Sequence, residues 1–429
     1  MSMLPVETRP RLALPTPVAG TQDNLPPVVI LNMFYSGLGI ARALSGKGLR
    51  VIGLSADARI YGNFTRLCRV EQVPSSKDHS EQLLAFLLQR QRDLRGAVLF
   101  PTRDADVVFL DRFRSELSPV YRLAIPPANC LYRTLDKHAL ALAAQQAGVP
   151  VPRTLRLKSL KDVVHVAQAV GFPCVLKPIS AFQWHVGDAW QQVGERKAVR
   201  VETCAQLRAE YEQISHVTPE VLVQEWIPGS TEQITVLGGY VNRRSELVSY
   251  FTARKVLQSP DDCGTGCIVQ SEPIPEIVEP SRRVFKTLAY KGMAEVEYKL
   301  DTASGNYKLI EINTRHWDQH ALGLASGINL TWVAYCDLTE RPLPAEGNTI
   351  VRAQWVAEDA LLLRLLRSVT NRQLRVRDLR KKLSPRRVYG ISSAEDPVPI
   401  LYYSCRKLIP DLGRSIVRKL RTAGGRSQS

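Results

Sequence analysis

An α/β protein of two or three domains is what 429 residues of this composition predict. Three observations carry that expectation. After a proline-rich lead-in come an apolar run, a glycine turn, a helix-forming stretch and a second apolar run, the pattern of a βαβ unit. Near residue 300 two β-rich runs flank turn residues and bring carboxylates face to face. Beyond Val351 the chain turns basic: 18 Lys and Arg stand against 6 Asp and Glu, so this segment holds +12 of the formal +16. The body before it is close to neutral.

Met1–Pro27 holds six prolines and little hydrophobic periodicity, which predicts a disordered lead-in without a secretory signal. Val28–Asn32 is a short buried strand, Gly37 and Gly39 precede a helix, and Arg50–Leu54 is a second strand. As a dinucleotide fingerprint the turn is incomplete. Arg42 stands where a third glycine would, and Asp57 lies closer than the ~20 residues a ribose-binding acid needs. Glu81–Arg92 follows as an amphipathic helix and Ala97–Phe100 as a third strand, running into PTRDAD. Asp136 caps a helix that stops at Gly148, and Pro150 and Pro152 force an extended exit. A helix around Leu160–Val170 leads to the strand Cys174–Lys177, and Ser180–Gly194 is a loop carrying Trp184, His185 and Trp190. Strands at Glu220–Ile227, Gln233–Gly238 and Ser249–Lys255 come next, then Gln258–Gln270, whose Gly, Asp and Cys content predicts a loop. Of the eight cysteines only Cys263 and Cys267 are close together, and no second pair or histidine cluster completes a zinc site. Reduced thiols and a cytoplasmic setting are expected. No apolar run approaches the ~18–20 residues of a membrane span.

The chemistry turns on Gly292–Trp317. Met293–Leu300 and Tyr307–Asn313 are strands, and Thr302–Asn306 is the turn between them. Alternation puts Glu295, Glu297 and Lys299 on one face. On the return strand Glu311, Asn313 and Arg315 share a face, with Leu309 in line behind them. In register, Glu297 and Glu311 oppose each other, and such a pair calls for a cation. Hard oxygen ligands of this kind suit Mg²⁺ shared with nucleotide phosphates, and Arg315 supplies a forked cation. The alternative is a solvated strand face whose acids pair with Lys299 and Lys308. If the two carboxylates repel, Glu311→Ala is expected to raise the melting temperature of the apo protein. His316 and His320 have a metal spacing if helical, but nothing nearby completes such a site.

This stretch resembles the metal-binding hairpin of the ATP-grasp superfamily, in which a Glu on one strand is followed by Glu-x-Asn-x-Arg on the next. Glu297 matches the first position, and Glu311, Asn313 and Arg315 match the run. The resemblance spans about Val28–Glu340 and implies a Rossmann-like domain at 28–130, after the 1–27 lead-in. It further implies a two-lobed α+β ATP-grasp domain at 131–345, its lid at about 152–220, then a basic, mainly helical segment at 346–429. By the same resemblance Lys137 and Lys177 reach the phosphates of ATP, and the backbone of Glu225 and Ile227, flanking Trp226, reads adenine. Glu232 would hold the ribose, and Lys255 would meet the γ-phosphate or an acyl phosphate. Glu297, Glu311 and Asn313 would bind Mg²⁺, with Mn²⁺ also suitable, and Arg315 and Lys255 would be catalytic. The lid loop departs from the family's glycine-rich pattern, with only Gly187 and Gly194.

The implied reaction is activation of a carboxylate by ATP as an acyl phosphate, followed by attack of an amine. The pattern looks closest to carboxylate–amine ligases, including D-aspartate ligase-like proteins; carbamoyl-phosphate synthase shares the site. Partners would be a small-molecule acid and amine, not nucleic acid. The competing reading is a degenerate nucleotide-binding module acting as a membrane-associated scaffold, which the glycine-poor lid favours and the intact acid set opposes. In the tail, Ala360–Arg367, Arg372–Leu383 and Leu412–Arg421 read as basic amphipathic helices around the apolar DPVPILYYSCRKLIP. They suit either the anionic inner face of a membrane or a cap docked on the body. An anchor expects a body that stays soluble without Val351–Ser429; a cap expects one that unfolds.

Overall fold

A computed structural model gives the fold and describes residues 25–180, 183–184, 188–260, 264–345, 351–362, 364, 382–383 and 386–408. Three sheets are present. The first is wholly parallel, with β1 (Val28–Leu31), β2 (Val51–Ser55), β3 (Arg69–Gln72), β4 (Val98–Pro101) and β5 (Arg122–Leu123) in the order β3-β2-β1-β4-β5. Its central strands are buried on both faces, which is why β1 and β4 read as unbroken apolar runs without alternation.

Gly37 and Gly39 do not precede the helix after β1 but lie inside it, at Tyr35–Leu44, where they serve packing. A Cβ on Gly39 would lie 2.5 Å from the His320 ring, and one on Gly37 would lie 2.3 Å from the Asn32 carbonyl oxygen. Arg42, which broke the fingerprint, donates to the carbonyls of Tyr389, Gly390 and Ile391 from the far end of the chain.

The second sheet contains β6 (Thr154–Leu157), β7 (Cys174–Pro178), β8 (Val199–Val201) and β9 (Val221–Glu225), all antiparallel, in the order β6-β9-β7-β8. Leu157, Val166, Leu176, Trp184, Leu207 and Val223 form a buried cluster of its own. The helix Lys137–Gln146 precedes it, and the Asp136 carboxylate accepts from the amides of His138 and Ala139, the expected cap. His185 lies outside the described residues.

The third sheet has seven strands in the order β14-β13-β10-β11-β12-β15-β16. They are β10 (Ile234–Val241), β11 (Leu247–Ser259), β12 (Thr265–Ser271), β13 (Gly292–Asp301), β14 (Asn306–Asn313), β15 (Gln354–Val356) and β16 (Arg387–Tyr389). One expectation fails here. Gln258–Gln270 is not a loop: Gln258 pairs with Gly266 and Ser259 with Thr265, and Ile268 and Val269 are buried in β12. The β-branched pair outweighs the glycines and cysteines around it. The described part of the basic segment holds helix, as at Val398–Tyr403, and also extends the sheet. It adds β15 antiparallel to β12 and β16 parallel to β15, because Trp355 at 1% exposure needs a sheet to cover it.

One apolar core joins the parallel sheet to the seven-stranded one. Ile30, Leu38, Phe100, Phe251, Trp317, Tyr335, Trp355 and Ile391 belong to a single buried cluster. The C-terminal segment is sewn to the first domain as well. Asp396, fully buried, accepts from Thr65 Oγ1 at 2.5 Å and from the Arg66 amide at 3.0 Å. Tyr402 stacks on Phe64 with centroids 3.8 Å apart, and the Tyr35 hydroxyl donates to the Asp359 carboxylate. For these residues the cap reading fits and the separable anchor does not. Most of Arg372–Leu383 and all of Leu412–Arg421 lie outside the described residues. Among the described residues no helix is long and apolar enough to cross a membrane.

Trp355→Ala should lower the free energy of unfolding by about 3–5 kcal/mol, the cost of emptying a large aromatic site in a packed core. Urea denaturation measures it, and a loss below about 1 kcal/mol would show that β15 is dispensable to the core.

Candidate active site

A cleft of about 950 Å³ is lined by residues of the second and third sheets and by Thr102–Ala105, which follow β4. Its floor is the hairpin of β13 and β14. Glu297 stands directly opposite Glu311, as the alternation predicts. The strands then slip by one residue: Tyr298 pairs with Leu309, so Ile310 is extra. This bulge corrects the expectation for Leu309. It reverses the parity of β14, so Leu309 faces the core beside Tyr298 while Ile310 and Glu311 line the cleft.

Two lysines answer the opposed carboxylates. Lys255 Nζ lies 2.5 Å from Glu297 Oε2, and Lys137 Nζ lies 2.5 Å from Glu311 Oε2. Neither acid relies on Lys299 or Lys308, which removes the solvated-face alternative. Lys308 pairs with Glu225 at 2.9 Å and Asp301 at 3.1 Å, and Lys299 sits over the Trp226 ring. The Lys137 ammonium holds the Glu311 carboxyl far below the usual carboxylate range. Burial works against the charge on Lys137 and Lys255, yet Glu311 and Glu297 keep both above the ordinary lysine value. Repulsion between the acids is thus already screened, and the expected gain from Glu311→Ala changes sign.

Glu295, two residues along the same face, is buried and has no lysine of its own. Burial pushes its carboxyl up to about 8, against the pull of Lys255 and with the push of Glu297. It accepts from Asn313 Nδ2 at 2.9 Å, which engages the amide nitrogen of a cleft residue. Arg315 donates through Nε to Asp104 Oδ1 at 2.7 Å and through Nη1 to the His316 carbonyl. The Asp104 carboxylate, with Asp318 and Glu295 nearby, holds that guanidinium charged despite burial.

The other wall comes from the second sheet and its edges. Lys177, 7% exposed on β7, donates to Gln224 Oε1 at 2.7 Å, and Gln224 donates on to Thr154 Oγ1 at 2.8 Å. The amide of Lys137 donates to Ile179 O, tying the two lysine-bearing segments together. The Glu225 and Trp226 amides donate to Arg153 O and Pro173 O, and the Glu225 carboxylate meets Lys308. The Trp226 ring lies between the Arg200 guanidinium at 4.7 Å and Lys299 at 4.9 Å, and buried Ile227 follows it along the lining. Arg254 and Lys255 do alternate: Arg254 pairs with Glu272 while Lys255 faces the cleft. Glu232 is the predicted residue the structure does not bring in. The short turn Thr231–Gln233 rotates it outward to pair with Lys382, and Ser230 and Thr231 line the cleft in its place.

A set of two carboxylates and an amide oxygen fits a hard divalent cation that takes its remaining ligands from phosphate oxygens and water. Among the described residues no group of three or more His, Cys, Asp and Glu forms a metal cage. His316 and His320 do not form one either. His316 Nε2 bonds Thr331 Oγ1 at 3.1 Å, and His320 Nδ1 bonds Trp317 O at 2.8 Å, both buried. Sequence reasoning passed over Asp104, Gln224, Glu295 and Asp318 as site residues. Only Glu295 carried a signal, its place on the Glu297 face.

Comparison with known proteins agrees with this geometry. Residues 267–335 match the family model of the carbamoyl-phosphate synthase L chain, ATP binding domain. The D-aspartate ligase of Enterococcus faecium is 24% identical over 318 residues, covering 70% of this chain and 74% of that enzyme. The D-alanine–D-alanine ligase of Stutzerimonas stutzeri is 30% identical over 184 residues, but the match spans only 55% of that enzyme and 42% of this chain. Among solved structures, the ADP complex of N5-carboxyaminoimidazole ribonucleotide synthetase superposes with a TM-score of 0.61 at 16% identity. That match covers 81% of this chain and 86% of the other. Biotin carboxylase from Campylobacter jejuni superposes at 0.60 and 16% identity, covering 77% and 74%. These matches support an ATP-grasp carboxylate–amine ligase. The seven-stranded sheet carries the acid pair, and the second sheet supplies the other wall of the cleft.

Glu311→Ala should lower the melting temperature of the apo protein, because it leaves the Lys137 ammonium without its carboxylate. The loss is about 1–3 kcal/mol, the cost of stranding one partner of a charged hydrogen bond. Differential scanning calorimetry decides it; a rise would mean that acid–acid repulsion dominates after all.

Burial pushes the His320 imidazole down to about 4 and lowers His316 as well. Between pH 6.5 and 4 the unfolded chain therefore binds more protons at these positions than the folded one. Stability contributed by their neutral forms is lost as pH falls through that window, at about 1.4 kcal/mol per pH unit for each histidine. Urea titrations at several pH values should show a shallower slope for His320→Gln than for the parent; equal slopes would show that His320 takes no part.

Proposed function

We propose that this protein is a Mg²⁺-dependent ligase that activates the carboxylate of an amino acid with ATP and joins it to an amine. The observation that carries the reading is the opposed Glu297–Glu311 pair, each acid held by a cleft lysine at the floor of one cleft. Lys137 and Lys177 bind the phosphates of ATP from the two sides on which they stand. Adenine lies against Trp226, with the Glu225 carbonyl and the Ile227 amide at its polar edge. The acid's carboxylate oxygen attacks the γ-phosphorus, ADP leaves, and the amine then displaces phosphate from the acyl phosphate. Lys255 and Arg315 neutralise the charge that builds up as two anions meet, which is the main barrier to such a transfer. Glu297, Glu311 and Asn313 would hold Mg²⁺, or Mn²⁺, which supplies further charge neutralisation on the phosphates when bound. No protein nucleophile is needed. The amino-acid substrate rests on the likeness to D-aspartate ligase and D-alanine–D-alanine ligase.

An ADP-release screen of the purified protein with ATP, Mg²⁺ and a panel of D- and L-amino acids, with and without hydroxylamine, tests this. Amino-acid-dependent ADP release with hydroxamate formation is expected. Lys177→Ala should weaken binding of a non-hydrolysable ATP analogue roughly 10- to 100-fold, the size of one lost charged hydrogen bond. ATP turnover indifferent to both amino acids and Mg²⁺ would overturn the reading.

A further inference from the structure

The charges of the cleft are not evenly arranged. Around the phosphate positions stand Lys137, Lys177 and Lys255 against Glu297 and Glu311, an excess of one cation. Asp104, Arg315 and Asp318 line the cleft too, and the exposed Lys197 reaches Asp318 only through its field. Arg315 donates through Nε to Asp104 at 2.7 Å and through Nη1 to the His316 carbonyl. Asp318 is left with one neutral partner, the Ser36 hydroxyl at 3.2 Å, and makes no ion pair among the described residues. Two lysines, Lys77 and Lys197, also line the cleft, but both are exposed at its rim, and Lys197 donates to Thr265 Oγ1 at 2.7 Å. Arg103 is held by the buried Asp106 at 2.9 Å. Tyr61, the remaining titratable group in the field of Asp318, is buried behind it.

A partly buried carboxylate without an ion pair is costly unless a cation completes it.

Resting on the ligase reading above, we propose that Asp318 receives the ammonium group of the incoming amine, its carboxylate fixed by Ser36. The amine must lose a proton before it can attack. One N–H proton passes to the Asp318 carboxylate, the nitrogen lone pair forms the C–N bond, the C–O bond to phosphate breaks with its electron pair leaving on phosphate, and the departing phosphate takes the second proton that the nitrogen sheds. Burial, which raises the Asp318 carboxyl despite Arg315, suits it to take that proton. Ser36 belongs to the first turn of the helix Tyr35–Leu44 after β1, so the first domain serves the amine by positioning this acid.

Asp318→Asn keeps the shape and the Ser36 contact while removing the charge. The full-length protein and this variant are given ATP, Mg²⁺ and the amino acid that supports ADP release, with hydroxylamine and methylamine competing for the acyl phosphate. Hydroxylamine is neutral at pH 7 and methylamine is a cation, so only the second needs Asp318. The methylamide-to-hydroxamate ratio should fall at least tenfold in the variant. Retained hydroxamate also shows that the variant is folded and binds ATP. An unchanged ratio, equal loss of both products, or hydroxamate without any methylamide in the parent would overturn the assignment. Absence of both products in the parent would overturn the ligase reading itself.

Discussion

Everything in this molecule that bears on chemistry depends on two carboxylates being forced to face each other across a hairpin. Left alone, Glu297 and Glu311 would repel across the strand pair. The fold resolves the conflict with cations from elsewhere. Lys255 comes from β11, beyond β10 in the same sheet, and Lys137 from the helix start at the edge of the second sheet. Positive charge is thereby fixed in the cleft by the fold itself. A charge pair of this kind costs desolvation and is retained where it positions groups for a partner.

The apolar cores say which parts share that burden. The parallel sheet, the seven-stranded sheet and the C-terminal strands share one continuous cluster, whereas the second sheet keeps a cluster to itself. Lys177 and Gln224 are carried on the self-contained piece, and Lys255, Glu297 and Asp318 on the shared one. The cleft lies where the two pieces meet, so its polar residues join what the apolar packing leaves separate.

Much of this was legible in the sequence, and what was not had physical reasons. Two-residue alternation and a clear turn suffice to put Glu297 opposite Glu311. The same alternation misplaces Leu309, because one extra residue at Ile310 reverses the count and no local propensity announces a bulge. Asp104 and Gln224 were passed over because their meaning lies in partners distant along the chain, Arg315 and Lys177. Glu232 was misassigned because a single short turn decides which way it points. β15 and β16 are three residues each, too short for any periodicity to show, and the charge around them reads as helix or tail.

The position of those two short strands has a consequence for how the protein is made. During synthesis the edge of β12 has no partner until Gln354–Val356 has left the ribosome, and Arg387–Tyr389 must follow before the sheet is whole. At about 5–20 residues per second, the interval between the completion of β12 and the arrival of its cover is of the order of several seconds. Throughout it a strand carrying Ile268 and Val269 presents open backbone donors and acceptors. The nascent chain is therefore most exposed to aggregation after its β13–β14 hairpin has already been translated, and a chaperone that shields the growing chain would matter most at that stage.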